Sequence, residues 1–323
     1  MEGPKKSKVI DVEIPSINDN QILVKVVYTG MCHSELYPWE NAKSGTKFGH
    51  ETVGVVADVG KNVQGFKVGD RVTGLGGGGY KEYIVMVPEK AVLVPDNISD
   101  EDAVVEPLAC IYSGAERIAN GNLDEAIAIV GTGYMGLGLI SLLKGWGYKK
   151  IVAIDKRPEA LENARKYGAD EVYLPEEIPM HYILNWQTWL KPDLTRDGHK
   201  TDIFNTGFKT VVEFAGTEDA LDLAGQLVCA HGTLGIAGFH NDGPRTVDFK
   251  LWNMKAITMI NCHERRIEYE AKLCRKCLDE ISSGQWKFTG AANKIYTLEE
   301  FDKANEDMKN HNHGFIKGLF KSN

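Results

Sequence analysis

The stretch IAIVGTGYMGLG, residues 127–138, decides the fold of the second half of the chain. It places the pattern G-x-G-x-x-G at Gly131, Gly133 and Gly136, after an apolar run typical of a strand and at the start of an apolar helical run. In that setting the first glycine permits a tight turn, the second lets backbone approach a pyrophosphate, and the third allows close packing of helix on strand. The N-terminus of the helix stabilises the phosphate charge. The stretch therefore predicts a dinucleotide-binding unit.

An acidic residue follows at the spacing expected for a ribose-binding residue. The next strand-like run, KIVAID, ends at Asp155, nineteen positions after Gly136. Its carboxylate would accept hydrogen bonds from the adenosine ribose hydroxyls and repel a 2′-phosphate, which favours NAD over NADP. Lys156 and Arg157 follow immediately and weaken this preference. The predicted cofactor-binding residues of this unit are Gly131, Gly133, Tyr134, Met135, Gly136 and Asp155.

The two halves of the chain have different hydrophobic patterns. The first hundred residues contain short alternating runs, such as QILVKVVYTG and YKEYIVMV, separated by turn residues, which predicts a mostly β domain. From about residue 125 strand-like and helix-like runs alternate, which predicts a parallel sheet with crossover helices. The last run, GFIKGLF, predicts a strand that rejoins the first domain. We predict a mostly β domain over residues 1–115 and 287–323 and a doubly wound α/β domain over residues 116–286.

Charge and cysteine usage limit the possible partners. The chain of 323 residues has a formal net charge of -8, which argues against nucleic acid or an anionic membrane surface as a partner. No segment has the apolar core of a signal peptide, and no run is long and apolar enough to span a bilayer. The six cysteines are scattered, which is typical of reduced thiols in a cytoplasm. We therefore expect a cytoplasmic protein with no nucleic-acid or membrane partner.

Potential metal ligands stand in GMCHSELY and FGHETVGVV. Cys32 and His50 are eighteen residues apart, and each lies where a strand-like run meets a loop. Thiolate and imidazole are preferred ligands of Zn²⁺, and Glu51 and Glu106 are candidate carboxylates to complete the shell. A buried thiol and a surface imidazole explain the same residue types, so residue types alone leave the metal site open.

The motifs together resemble the zinc-dependent medium-chain dehydrogenases, the superfamily of alcohol and polyol dehydrogenases that includes the sorbitol, butanediol and threonine types. GMCHSEL matches the element G-x-C-x-[ST]-[DE], and FGHETVGVVADVGKNVQGFKVGDRV matches the signature GHE-x-x-G and the run that follows it. VVEPLACIYSGAERI matches the helix before the dinucleotide domain. The resemblance covers essentially the whole chain. It implies a GroES-like catalytic domain joined to a Rossmann-type domain.

The resemblance implies a catalytic zinc ion bound by Cys32 and His50. Glu51 would ligate it directly or exchange with substrate or water. Glu106 would occupy the third-ligand region, where simple alcohol dehydrogenases have a cysteine and the sorbitol and butanediol types have a glutamate. We expect only one of the two glutamates to ligate at a time, since a second ionised carboxylate would oppose ionisation of the alcohol.

Two further roles and one departure follow from the same resemblance. Ser34 would pass the alcohol proton outward, and His33 would lie near the cofactor phosphates. Many relatives carry a lobe of four cysteines that binds a structural zinc ion. This chain has no cysteine between Cys32 and Cys110, so that lobe is missing and we predict one zinc ion rather than two.

The function implied is reversible oxidation of a secondary alcohol to a ketone, with hydride transfer to NAD, in a homodimer or homotetramer. The small-molecule substrate would be a polyol, a cyclitol or a vicinal diol. An amino alcohol is the main alternative, because threonine-type relatives also carry a Glu-Pro element. A zinc-free, NADPH-dependent enone reductase and a non-catalytic NAD-binding sensor are further alternatives. Neither class requires the Cys32 and His50 ligands.

Some features stay outside this assignment. The segment between Val172 and Phe208 is longer than a usual connection, and we interpret its aromatic part around Trp186 as an inserted helix packed on the domain. The lone C-x-x-C at Cys274 and Cys277 predicts helix packing rather than a metal site. Contacts to substrate or cofactor and an exposed charge cluster are both open for His240, His263, Arg265 and Arg266.

Overall fold

The protein is described from a computed structural model, which covers residues 1–76, 78–189 and 204–322. The chain forms two compact units, one made of Met1–Cys110 and Glu264–Asn323 and the other of Ile111–His263. Within the described ranges no helix has the length and apolar character needed to cross a membrane.

The secondary structure follows the two patterns that the sequence predicts, mostly strands in the first part of the chain and an alternation of strands and helices from β6 onward. The strands are β1 Ile22–Gly30, β2 Glu51–Val59, β3 Arg71–Leu75, β4 Tyr83–Met86, β5 Ala91–Leu93, β6 Ile127–Val130, β7 Ile151–Ile154, β8 Glu171–Tyr173, β9 Phe208–Glu213, β10 Val228–Ile236, β11 Thr258–Asn261, β12 Ala292–Tyr296 and β13 Lys317–Lys321. The helices are α1 Leu36–Glu40, α2 Glu106–Ile118, α3 Tyr134–Gly145, α4 Pro158–Lys166, α5 Trp186–Trp189, α6 Glu218–Leu227, α7 Phe249–Met254, α8 Ile267–Ser282 and α9 Phe301–Asn310.

The first unit is built on a mostly antiparallel sheet in the order β12-β13-β1-β2-β3-β5, with β4 also paired to β1. Alternate residues of β1, namely Ile22, Val24 and Val26, are buried in one apolar cluster, because successive side chains of a strand point to opposite faces. The C-terminal strand β13 pairs with β1, so the end of the chain returns to the first sheet, as GFIKGLF predicts.

The second unit contains a six-stranded parallel sheet in the order β11-β10-β9-β6-β7-β8. All four residues of β6 are buried, as expected for a parallel sheet covered on both faces. The chain runs from β6 outward to β8 and then returns to β9 on the other side of β6, so the strand order reverses there. Ligands of such sheets bind at this reversal point, beyond the carboxyl ends of the strands. The predicted fold class is confirmed.

The compact units divide at Cys110 and His263, whereas the sequence suggested domain boundaries at residues 115 and 286. The difference arises from α8, which packs against β3 and β5 of the first sheet. The periodicity of α8 resembles that of any crossover helix, so sequence alone does not tell which sheet it covers. The predicted limits of the functional domains stay a prediction.

The aromatic segment is described only in its first part, since residues 190–203 lie outside the described ranges. Tyr182 packs on Phe208 with ring centroids 4.4 Å apart, and Trp186 Nε1 donates a hydrogen bond to Asp248 at 2.5 Å. Both aromatic residues belong to or pack against the apolar core of the second unit. This agrees with the interpretation of an inserted helix packed on that unit.

The glycine loop after β6 yields a stability prediction with a built-in control. A Cβ on Gly136 would lie 2.1 Å from the carbonyl oxygen of Gly131, whereas a Cβ on Gly133 would meet no atom within 4 Å. We expect Gly136→Ala to lower the free energy of unfolding by about 1–3 kcal/mol, because the helix must shift away from the loop backbone at Gly131. Gly133→Ala should leave thermal stability unchanged and weaken dinucleotide binding. Equal melting temperatures for both variants would contradict the packing role of Gly136.

Candidate metal centre and dinucleotide loop

The pairing of β1 with β2 brings the two predicted zinc ligands together. These strands are antiparallel, and Gly30 at the end of β1 lies opposite Glu51 at the start of β2. Cys32, just after β1, and His50, just before β2, therefore lie at the same end of this strand pair. One ligand atom each from Cys32, His50 and Glu51 lies within 4.8 Å of the others. Of the four predicted ligands, the structure thus places these three in one cluster.

The third member, Glu51, is a fully buried carboxylate with too few partners in the protein. Its Oε2 atom lies 2.5 Å from Nζ of Lys317, a residue that also donates a hydrogen bond to the Met31 carbonyl oxygen at 2.7 Å. Its Oε1 atom has no hydrogen-bond partner among the described residues. A buried carboxylate oxygen without a partner is costly, so the site offers one oxygen to a cation.

Glu35 orients the imidazole of His50, a role that the sequence reasoning missed. Its Oε1 atom accepts hydrogen bonds from the Gly49 N–H at 2.8 Å and from His50 Nδ1 at 3.0 Å, and its Oε2 atom accepts one from the Tyr80 hydroxyl at 2.8 Å. Because a carboxylate only accepts, Nδ1 carries a proton, and Nε2 is the ring nitrogen available to a metal ion. The acidic position in G-x-C-x-[ST]-[DE] is the signal that could have identified Glu35.

The side chains around His50 create a negative electrostatic potential, which favours a bound cation. Burial lowers the pKa of His50, but the side chains of Cys32, Glu35 and Glu51 outweigh it and raise the pKa to about 12. Burial and then the charge and hydrogen bond of Glu35 raise the pKa of Tyr80 well above its ordinary value. A thiol, an imidazole and an unsatisfied carboxylate oxygen are the donor set of zinc, so these residues fit the metal ion that the motifs imply.

The neighbours of Cys32 in the sequence are placed on the short helical turn that follows β1. The Ser34 hydroxyl donates a hydrogen bond to Cys32 Sγ at 3.0 Å, so this hydroxyl lies beside the metal ligands. His33 begins the turn with an exposed side chain. Its predicted contact with the cofactor phosphates stays a prediction.

Glu106 belongs to a second cluster of potential ligands, with Cys110 and Glu270. One ligand atom from each lies within 4.8 Å of the others, and the Cys110 thiol donates a hydrogen bond to Glu270 Oε1 at 3.3 Å. Burial and then the charge of Glu51 raise the pKa of Glu106. Cys110 and Glu270 escaped the sequence reasoning because α2 and α8 are distant in the chain. The role of Glu106 as a ligand stays a prediction.

The dinucleotide loop has the geometry that its glycines require. Gly131 follows β6 at the reversal point of the sheet with a φ of 92°, in the left-handed region that favours glycine. Gly133 precedes α3, and the N–H groups of the first helical turn, which includes Tyr134 and Met135, point towards the N-terminus of the helix. These N–H groups fit the pyrophosphate of a dinucleotide.

Asp155 lies at the carboxyl end of β7, as predicted, but its carboxylate already has several partners. Its Oδ2 atom accepts hydrogen bonds from the Thr132 N–H at 2.8 Å and the Thr132 hydroxyl at 3.1 Å. The Arg157 guanidinium binds both oxygens, with Nε to Oδ1 and Nη2 to Oδ2 each at 3.1 Å. Burial would raise the pKa of Asp155, but these contacts outweigh it and keep the pKa below its ordinary value.

Comparison with known sequence families decides the assignment. Residues 18–96 match the family described as alcohol dehydrogenase GroES-like domain, and residues 135–279 match the family described as zinc-binding dehydrogenase. The chain belongs to the zinc-dependent medium-chain dehydrogenases. The family predicted from the motifs is confirmed. Membership of this family supports zinc and a nicotinamide cofactor as the groups that the chain binds.

Individual relatives of this dehydrogenase are polyol and diol enzymes by name. The chain is 29% identical to sorbitol dehydrogenase of Bacillus subtilis (strain 168), over 77% of each chain. It is 25% identical to probable D-xylulose reductase A of Arthroderma otae, over 96% of this chain and 93% of the relative. The crystal structure of 2R,3R-butanediol dehydrogenase from Bacillus subtilis superposes with a TM-score of 0.77 at 20% identity, covering 99% of this chain and 98% of that one, which shows the shared fold.

The remaining predicted residues of the dehydrogenase have local partners. Arg266 pairs with the buried Glu264 at 2.8 Å, and His263 Nε2 lies 3.3 Å from the Gly238 carbonyl oxygen. His240 Nε2 lies 3.1 Å from Glu213 Oε2. The structure thus gives local roles to these side chains, and their contacts with substrate or cofactor stay predictions. Cys274 and Cys277 are buried in α8, in keeping with the predicted helix packing.

The role of Glu35 predicts a change in metal affinity. Glu35→Gln should lower zinc affinity about 10- to 100-fold, because the amide no longer fixes the tautomer and orientation of His50. The measurement is competition with a chromophoric chelator on the folded protein. Glu13→Gln, at an exposed position of the same unit, is the matched control and should bind zinc like the wild type. Zinc affinity of Glu35→Gln within twofold of the wild type would contradict the orienting role.

Proposed function

We propose that this chain is a zinc-dependent dehydrogenase that reversibly oxidises a secondary alcohol of a polyol, cyclitol or vicinal diol to a ketone, with hydride transfer to NAD. The observation that carries the proposal is the cluster of Cys32, His50 and Glu51 with its unsatisfied carboxylate oxygen. The dinucleotide loop of the second unit and the names of the polyol relatives support it.

In this proposal Cys32, His50 and Glu51 hold a single catalytic zinc ion, and no structural zinc is bound. When bound, the metal supplies Lewis acidity that makes an alcohol hydroxyl easier to ionise near neutral pH. Glu35 keeps Nε2 of His50 directed to the metal position. Lys317 neutralises part of the negative charge of Glu51, so that the ligands do not cancel the positive charge on which ionisation depends.

Ser34 moves the proton that the alcohol loses. Its hydroxyl lies on Cys32 Sγ, beside the ligand cluster, and a hydroxyl both accepts and donates a proton. We propose that it receives the alcohol proton and passes its own outward. His33, on the same helical turn, lies near the cofactor phosphates in this proposal.

The loop of the second unit binds the dinucleotide. Gly131, Gly133 and Gly136 let the backbone N–H groups of Tyr134 and Met135 approach the pyrophosphate. Asp155 stands where the adenosine ribose hydroxyls are bound in such units. Hydride transfer then requires the nicotinamide and the alcohol carbon to be held in line.

The second cluster favours a substrate with more than one hydroxyl. Glu106, Cys110 and Glu270 add polar groups next to the metal ligands, and the raised pKa of Glu106 lets its carboxyl donate as well as accept a hydrogen bond. A simple alcohol has no second hydroxyl to satisfy these half-buried groups. We further propose that the enzyme is a homodimer or homotetramer.

A substrate screen tests the proposal as a whole. We expect NADH formation with polyols, cyclitols or vicinal diols, about one zinc ion per chain, and loss of both activity and zinc in Cys32→Ser. The readouts are absorbance of NADH and elemental analysis of the purified protein. Preferential oxidation of amino alcohols would replace the substrate class, because carboxylates also bind an ammonium group. Full activity in Cys32→Ser would overturn the mechanism.

The proton path gives a separate prediction. Ser34→Ala should lower kcat about 100-fold or more, since proton transfer loses its first acceptor, while zinc content stays at the wild-type level. Ser44→Ala, at an exposed position of the same unit, is the control and should have wild-type kcat. An unchanged kcat in Ser34→Ala would remove Ser34 from the path.

A further inference from the structure

The pairing of Asp155 with Arg157 bears on which dinucleotide the enzyme takes. Both residues lie in the second unit, at the carboxyl end of β7 and just before α4. An acidic residue here discriminates against NADP through its negative charge and through its acceptance of ribose hydroxyl protons. Both effects require a carboxylate whose charge and lone pairs are available to the ligand.

Neither the charge nor the lone pairs of Asp155 are fully available. The Arg157 guanidinium forms a two-pronged ion pair with both carboxylate oxygens, which balances the negative charge. Five groups donate hydrogen bonds to the carboxylate, which has about four lone-pair sites. They are the N–H and hydroxyl of Thr132 and the backbone N–H, Nε and Nη2 of Arg157. Ribose hydroxyls can therefore bind Asp155 only by displacing a donor that is already there.

The general geometry of such units would put the Arg157 guanidinium next to a 2′-phosphate. Asp155 marks the ribose 2′ position, so the guanidinium bound to it lies next to that position. The ion pair uses one N–H of Nε and one of Nη2, which leaves three of the five guanidinium N–H groups for a ligand. The Arg157 side chain is 20% exposed, so these groups are within reach of a ligand.

We infer that Arg157 is a specificity-determining residue that neutralises Asp155 and binds the 2′-phosphate of NADP, so that the enzyme accepts both NAD and NADP. This inference rests on the proposed function for its cofactor class and extends it from NAD to both dinucleotides. Lys156 does not share the role, because its side chain is exposed and the ion pair is made by Arg157 alone among the described residues.

Direct binding measures the effect without any turnover. Isothermal calorimetry of the zinc-loaded enzyme with NAD and with NADP should give dissociation constants within about tenfold of each other. Arg157→Ala should weaken NADP binding about 10- to 100-fold, the contribution of hydrogen bonds to a charged group, and leave NAD binding equal or tighter. Arg157→Lys keeps the positive charge but lacks the guanidinium that donates two hydrogen bonds at once. Its loss of NADP affinity should therefore be smaller than that of Arg157→Ala.

The controls separate this inference from the proposed function. Lys156→Ala should keep the wild-type ratio of the two dissociation constants, and thermal melting establishes that each variant is folded. If Arg157→Ala does not fold, Arg157→Lys and Arg157→Gln decide in its place. Wild-type discrimination against NADP above about 100-fold, or an unchanged ratio in the Arg157 variants, would overturn the inference. Binding of both dinucleotides without alcohol oxidation would overturn the proposed function only, and binding of neither would overturn both.

Discussion

The constraint on which the first unit depends is the buried charge of Glu51. A carboxylate with no exposed surface is stable only if other groups balance its charge and satisfy its oxygens. Lys317 approaches one oxygen, and it does so because the C-terminal strand pairs with the strand that ends at Gly30. The other oxygen is left to a cation. The N-terminal and C-terminal parts of the chain are thus held in one sheet around this buried carboxylate.

Around that charge the polar groups form layers that fix one another. Tyr80 and the Gly49 N–H hold Glu35, Glu35 holds His50, and His50 faces Cys32. Each contact reduces the freedom of the next group inward, so the protein itself holds the candidate ligand atoms in place. Placing ligands in advance lowers the entropy cost of binding and keeps the imidazole in the tautomer that leaves Nε2 free.

In the second unit, backbone N–H groups and charged side chains suit an anionic ligand rather than a cation. Helix N–H groups and glycines at the end of β6 suit an anionic pyrophosphate, and an acidic residue at the end of the neighbouring strand suits a ribose. Arg157 modifies the second element by forming an ion pair with Asp155. Which of the two neighbouring basic residues pairs with Asp155 depends on the direction of the side chain. Arg157 forms the ion pair, whereas the side chain of Lys156 is exposed to solvent.

The sequence by itself determined the two fold types, the glycine loop and the pair Cys32 and His50, because strand periodicity and short-range motif spacing are local properties. Only the tertiary structure decided which distant groups meet these motifs. Lys317 reaches Glu51, and Glu270 reaches Cys110, through strand pairing and helix packing between segments far apart in the chain. It also decided that α8 lies on the first sheet. Such contacts depend on the path of the whole backbone, and no local pattern encodes that path.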